Sequence, residues 1–431
     1  MTTQLRIKKS LTAALLAAAL TLLSAAAAAA QTSTTTAASP TTTDSASGTG
    51  STTTTTTPKQ TAATDSTAVT SVGLNDGVTS MAADSNGNLY ASLQYTNKVV
   101  KLNGAGTVVG TFAVGRNPTG LIVDNNNGGL LYALNNADNT ISKLKLDGTP
   151  VATFKVAGDG PVHAALYSGV LYVACERSNT LVRLSAADGT ALGSSPVGNR
   201  PVWVVVSVTK TTYSYSNYDM AAAPPADGTT MVTDSQPPPD SGTTPTDGSS
   251  TTVDASTTTD GGGTAPPPDA TPTTTDYMTA SASGSPTSTK TVTTVNIYVS
   301  CNKANEVWKV SSAGDLLAKF ATGRGPFGLA INSRGELFVA CFWDAVVQRF
   351  SGDGAVLSKT AVGDGAAGVI AYGNVVAVIS NGANSITRLS NADGSFISQD
   401  LVDRSPLIGA ATPSALWVAC TGNGTIAKRS L

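Results

Sequence analysis

The chain has 431 residues, 26 Lys and Arg against 28 Asp and Glu, four cysteines and a single histidine. A near-neutral balance with its bases spread along the chain excludes a basic nucleic-acid-binding face, and one histidine excludes His-rich metal sites and multi-histidine catalysis. Length alone would suggest three domains, but internal repetition makes most of the chain one.

In chain order, Arg6, Lys8 and Lys9 precede an apolar run from Leu11 to Leu23 and small residues ending near Ala30. That pattern reads as a secretory signal peptide over residues 1–30, which places the mature protein in the periplasm or outside the cell. The alternative is an uncleaved anchor, because the apolar and Ala-rich stretches together approach a bilayer-spanning length. No later segment reads as a membrane span. Residues 31–65 are Thr, Ser, Ala and Pro with almost no large apolar side chain, a composition that cannot offset its ordering entropy, so a disordered linker is expected.

From there a unit of about 40 residues recurs. Each copy carries a short alternating strand: LYASL at 89, LYALN at 131, LYVAC at 171, IYVSC at 297, LFVAC at 337, VAVIS at 376 and LWVAC at 416. A turn residue follows (Asn97, Asn139, Asn179, Asn305, Ala345, Asn384, Gly424), then a third strand with a base in every copy: Lys101, Lys143, Arg183, Lys309, Arg349, Arg388, Lys428. Asp-Gly turns, as at Asp147-Gly148 and Asp353-Gly354, lead to a fourth strand, and loops such as GRNPTG or GNRPVW re-enter the next copy. The expected fold is all-β: a seven-bladed β-propeller of four-stranded blades over residues 66–431. The last copy lacks an outer strand, and Ser66 to Val72 stands in the register to supply it, closing the ring with an N-terminal strand.

One interruption, at about residues 211–293, separates the first and second strands of blade four. It is rich in Thr, Asp, Pro and Gly and holds nine Asp against Lys290, so it reads as a disordered, acidic insert on the face opposite the re-entry loops. Its flanks, TTYSYSNY and STKTVTTV, alternate polar with aromatic or β-branched residues and extend the strand pattern. The recurring base reads as a packing stem with a solvated head that pairs with turn aspartates. Cys175, Cys301, Cys341 and Cys420 share one repeat position, too far apart between blades for disulfides, and read as small buried hydrophobes.

Strands such as LYVAC followed by SNTLVRL, with VGNRP as the re-entry loop, resemble the YVTN and NHL repeat propellers, which include virginiamycin-B-lyase-like and gluconolactonase-like relatives. The resemblance covers residues 66–210 and 294–431. It implies the propeller fold, and it implies a ligand site at the mouth of the central channel. Lyase-like relatives use a His and a Glu with magnesium; here His163 stands on the corresponding ring and Glu176, in the same blade, is the candidate partner. Lactonase-like relatives hold a divalent ion with carboxylates and Asn, which this ring lacks, so no metal or other cofactor is expected.

Two rings locate the mouth. The re-entry loops begin with Asp76, Arg116, Asp159, Asn199, Arg324, Asp364 and Arg404, a rim of mixed charge. Ser80, Gly120, His163, Trp203, Gly328, Gly368 and Ile408 are expected to face the channel, with His163 and Trp203 filling one side. Phe342 and Trp343 sit in the loop after a second strand, and Trp343 is the aromatic least explained by core periodicity. Trp203, His163, Trp343, Phe342, Arg116, Arg324 and Arg404 are thus the candidate ligand-binding residues. The expected function is an exported, monomeric binding or scaffolding module for a protein, peptide or glycan at the cell envelope, with no nucleic-acid partner. A metal-assisted lyase or lactonase using His163 is the alternative.

Overall fold

The computed structural model describes residues 72–74, 77–126, 128–216, 275–279, 287–422 and 424–431. The expected signal peptide, the linker and most of the insert lie outside them, as do Ser66 to Ser71 and Asp76. The described chain is all-β and forms seven antiparallel four-stranded blades. Blade two shows the pattern: Pro118–Asp124, Leu130–Asn135, Thr140–Lys145 and Pro150–Lys155, running from the axis outward. Blade seven takes its first three strands from the C-terminus and its fourth from Val72–Gly73, with Val72 opposite Ile426 and Gly73 opposite Thr425. The ring is therefore closed by the N-terminal segment, one residue out of the register that aligning Ser66 to Gly77 on Thr149 to Gly160 gives, because the loop from Val156 to Gly160 is one residue longer than that from Leu74 to Gly77.

Lys210–Thr294 forms a second compact unit. Strand structure there includes Thr275–Thr279, paired antiparallel with Thr287 to Thr291, and Thr212 and Thr291 share a hydroxyl–hydroxyl hydrogen bond. Strand order thus occupies part of the stretch that composition alone gives as disordered, where Thr and Tyr alternate with small residues. The inner strand of blade four runs to Ser216 and its second strand starts at Thr287.

Both faces of most blades are buried against neighbours, because the alternating side chains of each strand point to the blade before and the blade after. The cluster between blades two and three is typical: Tyr132, Leu134, Ile141 and Phe154 interlock with Leu171, Val173, Cys175 and Val182. The turn residue after each second strand adopts a left-handed backbone in all seven copies, with φ between 51° and 64°. Asn tolerates that conformation and adds a bond: Asn97, Asn139, Asn179, Asn305 and Asn384 each accept the backbone N–H of the second residue of the following re-entry loop. Ala345 offers no such oxygen.

The third-strand bases do something the repeat alone did not suggest. Lys101 donates to Leu146 O, Lys143 to Ala186 O and Ala187 O, Arg183 to Ser312 O, Lys309 to Gly352 O, Arg349 to Ala392 O, Arg388 to Ser430 O, and Lys428 to Gly104 O. Each base crosses to a carbonyl in the next blade, at or just past the end of that blade's third strand, and Lys428 completes the circuit by bonding blade one. Tyr90, Tyr132, Tyr172 and Tyr298, opposite the bases on the second strands, bring their hydroxyls to the same carbonyls. The heads are clasps between blades. Among the described residues only Lys309 also pairs with a turn aspartate, Asp353, at 3.7 Å.

All four cysteines are free and buried. The glycine just before the re-entry loop lies directly over this position: a Cβ on Gly158 would stand 2.4 Å from Cys175 Sγ, and one on Gly198 2.8 Å from Cys301 Cβ. That close approach limits the position to a small side chain. Burial pushes the thiols of Cys175, Cys301 and Cys420 up to about 12 and that of Cys341 to about 11, which leaves them unreactive.

Candidate functional site

The re-entry loops and the loops after the second strands gather at one end of the propeller. Each inner strand enters from its re-entry loop through a conformation forced by the loop's second residue, which has positive φ in every blade: Gly77, Asn117, Gly160, Arg200, Gly325, Gly365 and Ser405. Four are glycine, for which the conformation costs little; Arg200 is the bulkiest exception.

Most of the ring expected to face the channel, all but His163 and Trp203, turns out to pack between blades. A Cβ on Gly120 would stand 2.8 Å from Val162 O, and one on Gly328 2.3 Å from Ala367 O. Ser80 is buried and its hydroxyl accepts the Leu121 N–H at 3.0 Å. These positions are small because the neighbouring inner strand passes over them, so they do not leave room for a ligand. The cause is geometric: the sheet faces its neighbours, and only the edge of the inner strand borders the axis.

His163 and Trp203 are brought together as the sequence suggested. Their rings stack with centroids 4.1 Å apart, and Phe327 tilts against Trp203 at 6.3 Å. Trp203 packs against the apolar cluster of blades four and five and also against that of blades seven and one, on the far side of the ring. The aromatic group thus fills the axis. His163 Nδ1 accepts the Val204 N–H at 3.3 Å, which places the neutral ring's proton on Nε2. Burial pushes the His163 pKa down to about 4.

Glu176 is not bonded to His163. Its carboxylate accepts Asn136 Nδ2 at 3.4 Å and Arg200 Nε at 3.5 Å. Beside it, Arg177 donates to Asn136 Oδ1 at 2.6 Å, Asn136 O at 2.8 Å and Asp159 Oδ1 at 3.0 Å, binding the loops of blades two and three together. The Arg177 bond, opposed by burial, holds the Asp159 carboxyl below the usual carboxylate range. Among the described residues no three His, Cys, Asp or Glu side chains converge.

On the rim, Arg116 and Arg324 are each clamped to an aspartate of their own blade. The Arg324 backbone N–H and Nε bond the two oxygens of Asp344 at 2.7 and 2.6 Å, and Arg116 holds Asp138 in the same way at 2.7 and 2.5 Å. Those bonds hold the Asp344 carboxyl below its ordinary range. Arg404 is exposed, with no side-chain hydrogen bond among the described residues.

Trp343 is 58% exposed although it is the largest side chain on the rim. Its indole lies over Gly325, where a Cβ would come within 2.4 Å of Cδ1, and Phe342 meets it edge-on at 4.8 Å. The ring is thereby propped in place with surface left free. Tyr95 in blade one is a second exposed aromatic, similarly laid over Gly77. Sequence reasoning ranked neither Arg200 nor Phe327; a charged side chain at a loop position that is glycine in four copies was the available signal for Arg200.

No protein-family model and no curated protein matches this chain. Solved structures do. A streptogramin B lyase superposes with a TM-score of 0.56 over 84% of this chain and 96% of its own, at 14% identity. Virginiamycin B lyase from Staphylococcus aureus gives 0.57 over 84% and 99%, at 12% identity. Hydrazine synthase from Kuenenia stuttgartiensis gives 0.53 over 82% and 96%, at 10% identity. What they share with this chain is the fold. The seven-bladed propeller fold is what these likenesses show, and neither a lyase-like nor a YVTN or NHL assignment has a family match behind it. At these identities no activity transfers.

Proposed function

We propose that this chain is an exported binding module whose loop-bearing end holds a polar or zwitterionic segment, peptide or glycan, of a partner at the cell envelope. The observation that carries the reading is Trp343, held with its ring exposed by Gly325 and Phe342 beside the Arg324–Asp344 pair. A rigid aromatic with fixed hydrogen-bonding groups around it is the usual anchor of a recognition site. Export rests on the N-terminal pattern of bases, apolar run and small residues. His163 has one ring nitrogen engaged by Val204, and Glu176 is turned to Arg200, which favours binding over acid–base chemistry by that pair.

The test is a screen of peptide and glycan arrays with the full mature chain, followed by titration of hits against Trp343→Ala and His163→Ala. Trp343→Ala should weaken binding by roughly ten- to a hundredfold, the range of an anchor residue, and His163→Ala should change it little. Abolished turnover of a lactone or lyase substrate in His163→Ala, with Trp343→Ala fully active, would replace this reading with the enzymatic one.

A further inference from the structure

Arg200 stands where three observations meet. It is held at φ 57° at a position occupied by Gly160, Gly325 and Gly365 in other blades, so its side chain is kept there at a conformational cost. Its side chain is 36% exposed at the mouth, three residues before Trp203. Its one side-chain bond is the long contact from Nε to Glu176 at 3.5 Å; among the described residues its two terminal nitrogens have no hydrogen-bond partner. Among the other mouth arginines, Arg404 also lacks a side-chain hydrogen bond among the described residues, but it is exposed and has no carboxylate to aim it, and the rest are engaged. Arg116 and Arg324 are neutralised by aspartates in their own blades, and Arg177 is spent on Asn136, Asn139 and Asp159.

A half-buried guanidinium with its terminal edge unspent is a fork for a planar anion, because two parallel N–H donors match two carboxylate oxygens. A second cation stands on the adjoining loop: the Lys303 N–H bonds Asn199 O at 3.2 Å, Asn302 N–H bonds Arg200 O at 2.9 Å, and the Lys303 side chain is exposed. We infer that Arg200, assisted by Lys303, is the recognition point for a carboxylate on the bound segment, beside the His163–Trp203 stack. Glu176 tethers Nε and aims the fork. This rests on the mouth-binding reading and adds the ligand's charge to it. The carboxylate could belong to a peptide C-terminus or to a uronic acid, and the experiment separates the two.

The mature chain is titrated with two pairs of probes, a short peptide as free acid and as C-terminal amide, and an oligogalacturonate with its methyl ester. Calorimetry measures affinity, and NMR follows the arginine Nε–H resonances. In at least one pair the acid should bind about tenfold tighter than its neutral form, the order expected of one charge-assisted fork. Arg200→Gly should erase that preference while melting no lower than the parent, since four of the other six blades carry glycine at this left-handed position. Glu176→Gln, which frees the guanidinium from its tether's charge, should tighten acid binding. The inference is overturned if neither acid is preferred, if the preference survives Arg200→Gly, if that variant melts well below the parent, or if Glu176→Gln weakens the acid. Loss of acid and neutral binding together in Trp343→Ala would concern the mouth reading; loss of the acid preference alone concerns Arg200.

Discussion

Replacing Lys143 by Met tests whether the blades are clasped through their third strands. Lys143 is 7% exposed and its ammonium donates to Ala186 O and Ala187 O, both at 2.8 Å, from the neighbouring blade. Each hydrogen bond to a charged group contributes about 1.5–3 kcal/mol, so the pair is worth roughly 3–6 kcal/mol before correction. Met fills similar volume and removes the need to desolvate an ammonium, which returns part of that. The net expected loss is about 2–3 kcal/mol, because one of the two carbonyls keeps the Tyr132 hydroxyl. Lys428→Met, whose clasp to Gly104 O is exposed, should cost under about 1 kcal/mol by the same reckoning. Urea unfolding of both variants, with slopes compared to confirm a like-for-like transition, provides the measurement. A Lys143→Met protein as stable as the parent, or a larger loss in Lys428→Met, would refute the clasp as a stabilising device.

Other outcomes follow from single sites. Ala345→Asn should raise stability by about 1–2 kcal/mol, because Asn relieves an alanine at φ 51° and brings an acceptor to the Gly365 N–H as its counterparts do; no gain in thermal unfolding would contradict this. His163 is held neutral when folded, at about 4 against about 6.5 unfolded. The unfolded chain therefore binds the proton first as pH falls: this contribution is intact above about 6.5, drains away between 6.5 and 4, and reaches up to about 3 kcal/mol lost below that. His163→Gln should flatten the stability profile between pH 6.5 and 5, and an unchanged slope there would contradict the assignment. The four thiols should resist alkylation at pH 8 in the folded protein and all react after denaturation; rapid labelling of any one in the native state would show its burial to be wrong.

The repeat announced the fold because every blade uses the same local solutions. The left-handed turn at Asn97 and its equivalents, the small residue at Cys175 and the Asp-Gly turns are each fixed by backbone geometry, which a sequence displays directly. Closure by Val72–Gly73 was legible for the same reason, as a missing fourth strand and a spare segment ahead of blade one, although its register differs by one residue from the repeat alignment. The clasps were not read, although the signal was present: Tyr90 and Lys101, Tyr132 and Lys143, Tyr172 and Arg183 recur at one spacing. Their shared acceptor is a carbonyl in the next blade, which no pattern within a blade reveals. The site was half legible. The repeat alignment placed His163 beside Trp203, but whether Gly120 and Gly328 faced the axis or the next blade depended on how tightly inner strands pack, a distance that a sequence does not contain.

The central claim, that a partner is held at the loop-bearing end, is tested most directly by hydrogen–deuterium exchange of the full mature chain with and without a ligand from the array screen. Protection should concentrate in the loops 199–203, 324–327 and 341–345, with the outer strands such as Val356–Ala361 unchanged. Protection confined to the outer strands or to the turns after the third strands, with those loops exchanging as in the free protein, would contradict it.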